Sequence, residues 1–178
     1  MFTINSRSPI YDPEAVQPMR EELVAAGLTE MLTSSDVDKY MSVEKDKTVL
    51  VMINSVCGCA AGSARPGITL ALQNKIIPDY IFTVFAGQDR DAVDHLRQNY
   101  LPGIPPSSPY IALFKNGEVI FLMQRLNIEG KTADMVANEL TEAFNQNCIK
   151  EGPSVSSEMY EQILHAKACG SRIPLAKN

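Results

Sequence analysis

Four cysteines and two histidines carry most of the chemistry open to this 178-residue chain. Cys57 and Cys59 are separated only by Gly58, while Cys148 and Cys169 lie far downstream. Two thiols this close suit thiol–disulfide exchange, in which a thiolate attacks a sulfur–sulfur bond and a second thiol attacks the resulting mixed disulfide. Gly58 removes side-chain bulk and loosens the backbone between them. A bridge across one intervening residue would close a small ring, and unfavourable disulfide geometry stores on the order of several kcal/mol. Such a bond is easily reduced. Equally, an external thiol could resolve the intermediate; the residues alone leave both routes open.

Metal chemistry competes for the same thiols. A structural zinc site needs four donors, yet His95 and His165 are both remote from the CxC in sequence, and no second CxC or CxxC completes the pattern. A thiolate metal-binding or metal-delivery protein is therefore the second hypothesis, and a noncatalytic interaction module the third. The first residues, MFTINSRSPIYDPE, hold one basic residue, two prolines and no continuous apolar stretch, so no secretory signal is read there. The cytoplasm is then the expected compartment, where structural disulfides are uncommon. No run of about 20 apolar residues suggests a membrane span. A net charge of -5 argues against general attraction to nucleic acid or an anionic membrane. CGCAAGSARPG lacks the ordered glycines of a dinucleotide site, so no bound cofactor or metal is expected. An apolar content of 45% is compatible with a homodimer, although core packing explains it without one.

The elements around the cysteines must make one of them a thiolate. Thr48–Ile53 (TVLVMI) reads as a strand covered on both faces. Cys57 follows it and opens a helical segment, where unpaired N–H groups and the local positive field favour an anion. Gly62 and Pro66 predict that this segment is interrupted or kinked. Helices are expected over about 18–26, from Ser35 to Met41 with Ser34 or Ser35 as cap, from Asp89 to Tyr100, and from Lys131 to Cys148. Strands are expected at Tyr80–Phe85, Pro109–Phe114 and Val119–Met123, the last two joined at Asn116-Gly117. The first dozen residues read as an arm. The order implies one α/β domain with a mixed sheet ending in an antiparallel hairpin. Gly152-Pro153 breaks the chain. Residues 151–178 are read as a helical extension, with Ser156 capping a helix through Ile163 and Ala166, on a domain covering residues 1–150.

Arg65 has two readings: positive charge for the thiolate or an anionic substrate, or a solvated helix side chain. Ser63 is read as a local hydrogen-bonding group, Cys148 as a buried structural thiol, and His95 as a surface or packing residue. Cys169, near an expected helix C-terminus that does not favour thiolate, is read first as inert and otherwise as a third redox thiol or metal donor.

Three separated blocks, NSVCGCAAGSARPG (Asn54–Gly67), YIFTVFAGQD (Tyr80–Asp89) and PPSSPYIALFKNGEVIF (Pro105–Phe121), together resemble the bacilliredoxin family, thioredoxin-like proteins of bacteria such as bacilli and staphylococci. The likeness runs from about Met19 to Cys148. It implies a three-layer fold with a central mixed sheet flanked by helices. It also implies reduction of mixed disulfides between proteins and bacillithiol or another low-molecular-weight thiol, with weak isomerase activity. The partners are then S-thiolated proteins, the small thiol and its separate reductase. By this resemblance Cys57 is the attacking thiol, Cys59 its neighbour, and Pro109 a cis-proline that turns the Ser108 backbone toward an extended partner. Asn54, Ser55, Gly58, Arg65 and Ser107 support them. The chain departs from the family at Phe121–Gly130, often richer in histidine, where Gln124, Leu126 and Asn127 stand here. Its tail beyond Cys148 is also longer.

Overall fold

Apolar runs in two neighbouring strands, each buried on both faces, build the centre of the sheet. In the computed structural model, which describes residues 7–177, β2 (Thr48–Asn54) lies at its centre and is buried along its whole length. Successive side chains of a strand point to opposite faces. Leu50 and Met52 accordingly join one core, with Ile68, Leu140 and Phe144, while Val49, Val51 and Ile53 join the other, with Val37, Val93 and Leu96. β5 (Tyr110–Lys115) divides the same way: Ile111 and Leu113 to the first face, Tyr110, Ala112 and Phe114 to the second.

Around these strands stand β1 (Thr29–Glu30), β4 (Tyr80–Phe85) and β6 (Glu118–Met123), in the order β1-β4-β2-β5-β6. β1, β4 and β2 run parallel; β5 and β6 are antiparallel to their neighbours. Helices α1 (Pro13–Ala25), α3 (Arg65–Ala71) and α6 (Ala133–Asn147) cover the first face, α2 (Ser34–Met41) and α4 (Arg90–Tyr100) the second. This is the thioredoxin-like three-layer arrangement. The Asn116-Gly117 turn has positive φ at both residues, as a two-residue hairpin of this hand requires. No described helix is long and apolar enough to cross a membrane.

Caps explain where element ends depart from the sequence reading. α1 starts five residues early because the Asp12 carboxylate accepts from the Glu14 and Ala15 amides, with Pro13 at the first helical position. Thr33, not Ser34 or Ser35, caps α2, in a reciprocal box with Asp36. Thr132 caps α6, which ends at Asn147. Short elements without a period to read were not anticipated: β1, α5 (Arg125–Ile128), and a two-stranded ribbon of β3 (Ile76–Ile77) with β7 (Lys150–Glu151).

The expected arm begins in residues outside those described; from Arg7 onward it is pinned, Ile10 donating to the Gly87 carbonyl and Asp12 to that of Pro174. In the tail, α7 (Ser157–Glu161) is short, capped by Ser156 as expected but ending well before Ala166, and a 3-10 turn follows at Gly170–Arg172. α7 stops at Glu161 because Ile163 turns into the first core, and His165 and Ala166 give their polar groups to α1 instead.

α3 and α6 approach closely at Gly67, where an added Cβ would lie 2.7 Å from Val136 Cβ and Cγ1. Alanine would gain up to about 1 kcal/mol of helix propensity, but overpacking a core costs roughly 1–3 kcal/mol. Gly67→Ala should therefore lower stability in chemical denaturation, and adding Val136→Ala, which vacates that space, should offset part of the loss.

Candidate functional site

Asn54 and Ser55 lead the chain out of the buried centre of β2 toward the two cysteines. Their path is held from behind by Arg65, which is wholly buried. Its Nε donates to Glu22 Oε2 at 2.9 Å, and its terminal nitrogens donate to Asn54 Oδ1, the Ser55 carbonyl and the Ala166 carbonyl. Glu22 is equally buried and its second oxygen meets His165 Nδ1 at 2.7 Å. Arg65 thus has neither exposure nor a spare terminus for an anionic substrate, and its expected contact with substrate is corrected: it positions the backbone that carries the site. A solvated side chain is equally ruled out. The residue that makes this burial workable, Glu22, was not anticipated; it is an acidic residue among the apolar positions of α1.

Beyond Ser55 the chain turns at Cys57, whose carbonyl accepts from the Ala60 and Ala61 amides. Ala60–Ala64 widens into a π-helical turn before α3 begins at Arg65. Pro66 lacks the N–H that would have closed an α-helical bond there, which accounts for the interruption the sequence indicated. Cys57 and Cys59 are half-buried, their sulfurs 2.8 Å apart, with Gly58 exposed between them.

The two thiols differ in acidity. Burial alone would push Cys57 up, but hydrogen bonds from Cys59, the Ser55 hydroxyl and the Ala60 amide, together with the positive charge of Arg125, outweigh it and leave Cys57 below the ordinary thiol value. Burial and then the interaction with Cys57 push Cys59 to about 11. Of the two, Cys59 holds its proton to higher pH, so it is the donor once Cys57 ionises. The arrangement sets a more acidic sulfur beside a less acidic one.

The facing wall comes from the start of β5, the strand beside β2. Register pairs Ile53 with Tyr110, which puts Pro109 alongside Asn54 at the end of β2. The Ser108-Pro109 peptide is cis, as the resemblance implied. Ser107 gives its carbonyl to Arg97 and its hydroxyl oxygen to the Arg125 amide. Arg125 opens α5, whose cap is reciprocal: Asn127 Oδ1 accepts from the Gln124 amide, and the Gln124 side chain accepts in return. Gln124 and Asn127, at the spacing of a capping pair, thereby hold an exposed cation beside the thiolate. That spacing was the one available signal for Arg125.

Of the remaining candidates, Cys148, Ser63 and His95 lie apart from this centre. Cys148 is buried, and that burial raises its thiol pKa. Ser63 donates to the Lys131 carbonyl, and His95 pairs with Asp38 at 2.7 Å. Cys169 is in extended backbone just ahead of a 3-10 turn (Gly170–Arg172), not at a helix C-terminus. Among the described residues no group of three His, Cys, Asp or Glu side chains is placed to share a metal ion.

A thiol pair of split acidity at a helix start, facing a cis-proline across a thioredoxin-like sheet, defines the class: a thiol–disulfide oxidoreductase. Comparison with known proteins agrees and narrows it. A family model described as disulphide isomerase matches residues 11–148. A bacilliredoxin of Salinibacter ruber is 46% identical over 80% of this chain and 83% of its own length. One of Cytophaga hutchinsonii is 44% identical over 77% and 99%, and one of Staphylococcus epidermidis 45% identical over 78% and 95%. The chain belongs to the bacilliredoxin family.

Three outcomes follow from this geometry. In alkylation followed by site-resolved mass spectrometry across pH, Cys57 should react at lower pH than an ordinary thiol and Cys59 only toward a pH of about 11. Cys59→Ala, which removes a hydrogen-bond donor to the Cys57 thiolate, should move the Cys57 profile upward. Glu22→Gln leaves a buried guanidinium without its counter-charge, so denaturant titration should show a loss of about 3–5 kcal/mol.

Proposed function

We propose that this chain reduces mixed disulfides between protein cysteines and a low-molecular-weight thiol, with Cys57 as the attacking sulfur. The carrying observation is the pairing of two half-buried sulfurs 2.8 Å apart, Cys57 the more acidic of them. The Cys57 thiolate forms a bond to the small thiol's sulfur. The target sulfur leaves with the electron pair of the broken bond and takes up a proton, so the target is released reduced.

Forming that bond changes its neighbour. Burial still opposes ionisation of Cys59, but the Cys57 charge that also opposed it has gone into a covalent bond. Cys59 becomes a better nucleophile only once there is an adduct to attack. Cys59, or a second small thiol, then displaces the first, and electrons enter from that thiol and its separate reductase. Pro109 and Ser108 receive the target's extended backbone, with Ser107 and Arg125 beside the entry.

The name shared by the relatives supports bacillithiol as the small thiol, and the family description supports weak disulfide isomerisation. The site fits a cytoplasmic pool of S-thiolated proteins as substrates. The exchange domain runs to residue 150, with residues 151–178 an extension that serves it.

First-turnover reduction of a bacillithiolated test protein, followed by mass spectrometry, examines this directly. Cys57→Ala should lose about a hundredfold or more in rate, while Cys59→Ala should still release the reduced target in the first turnover. Retention of the first turnover by Cys57→Ala, with its loss in Cys59→Ala, would reverse the assigned roles.

A further inference from the structure

Residues beyond the family match, which ends at Cys148, return to the cysteine pair. Three residues of the tail fasten it beside the site. The Ala166 carbonyl accepts from the buried Arg65, and its amide donates to Glu22. The Gly170 amide donates to the Val56 carbonyl at 2.7 Å, one residue before Cys57. Ile173, 6% exposed, packs into a small core with Val16, Met19, Val56 and Phe85. Between these fastenings lies Cys169, half-exposed. A Cβ built on Gly58 would meet its Sγ at 3.8 Å, the one atom within 4 Å among the described residues other than Cys57 and Cys59. The neighbour of the glycine that separates the two site cysteines is therefore a third sulfur. A cysteine serving only as packing resembles Cys148, sealed in the first core.

We propose that Cys169 is a resolving thiol, supplied by the tail, for the adduct on Cys57; this rests on Cys57 being the attacking sulfur. After Cys57 has taken the small thiol, Cys169 gives its proton to solvent and its thiolate bonds to the Cys57 sulfur. The adduct's sulfur–sulfur bond breaks, and the small thiol leaves with the electron pair and is protonated. Cys57 and Cys169 end as a disulfide. Two further small thiols restore both cysteines by successive exchange and become a disulfide themselves, which accounts for the electrons. Cys57 and Cys169 belong to separate stretches of chain, so their bridge avoids the small ring that a bond across Gly58 must close. The fastenings supply a local concentration that a diffusing thiol must reach by collision.

The test uses the full chain as reduced wild type, Cys59→Ser, Cys59→Ser/Cys169→Ser and Cys57→Ser. Each receives a short pulse of glutathione disulfide and is then freed of excess, with intact mass and peptide mapping followed over time. In Cys59→Ser the glutathione adduct on Cys57 should give way to a Cys57–Cys169 crosslinked peptide, at least about tenfold faster than it disappears from the double variant. Circular dichroism matching wild type establishes that both variants are folded. Equal adduct lifetimes in Cys59→Ser and the double variant, or a crosslink lacking Cys169, overturn the proposal while leaving Cys57 as the attacker. Absence of a Cys57 adduct in every variant overturns both.

Discussion

The site hangs on a buried ion pair. Glu22 and Arg65 come from α1 and from the first residue of α3, both out of contact with water. Removing two charges from water costs several kcal/mol each, and attraction repays this only when the remaining hydrogen bonds are met. Here they are, by Asn54, the Ser55 and Ala166 carbonyls, the Ala166 amide and His165. Because these partners come from the end of β2, the helix start and the tail, satisfying the pair fixes all three against one another. Replacing it by apolar residues could keep the fold, but nothing apolar would dictate where the Ser55 carbonyl sits, and Ser55 sets the backbone two residues before Cys57.

Upon that frame the chemistry is local. The sulfur contact, one hydroxyl, one amide and one exposed guanidinium set the acidity of Cys57 against the cost of its burial. None of these groups is unusual alone. Their effect comes from convergence on one half-buried atom, where each hydrogen bond counts for more than in water. The same proximity makes the pair asymmetric, since two adjacent sulfurs cannot both be charged without repulsion.

The central elements were legible because their patterns are strong. TVLVMI and YIFTVF leave little choice but buried strands, and Asn116-Gly117 specifies its turn. The cysteine pair was legible because CGC is local. What escaped the sequence was whatever depends on distant residues meeting. Two arginines show this: Arg65, near the CGC in sequence, is behind the site, while Arg125, far from it in sequence, is the cation beside the thiolate. Nothing in SARPG announces that Glu22 will meet its arginine. The tail shows it again. A good cap at Ser156 predicted a longer helix, but the polar groups of Ala166 find better partners in a conformation a helix does not allow. Position along the chain is a poor guide to Cys169 for the same reason.

The sheet's outer margin has a consequence of another kind. A strand at the border of a sheet offers unmatched amides and carbonyls to any stray polypeptide. On the side of β1 that offer is brief: only Thr29 and Glu30 pair with β4, and the Glu30 carboxylate is tied to Arg20 at 2.6 Å. Two residues with a charge among them make a poor template for intermolecular stacking. That border is thereby kept from adding a stray polypeptide as a further strand.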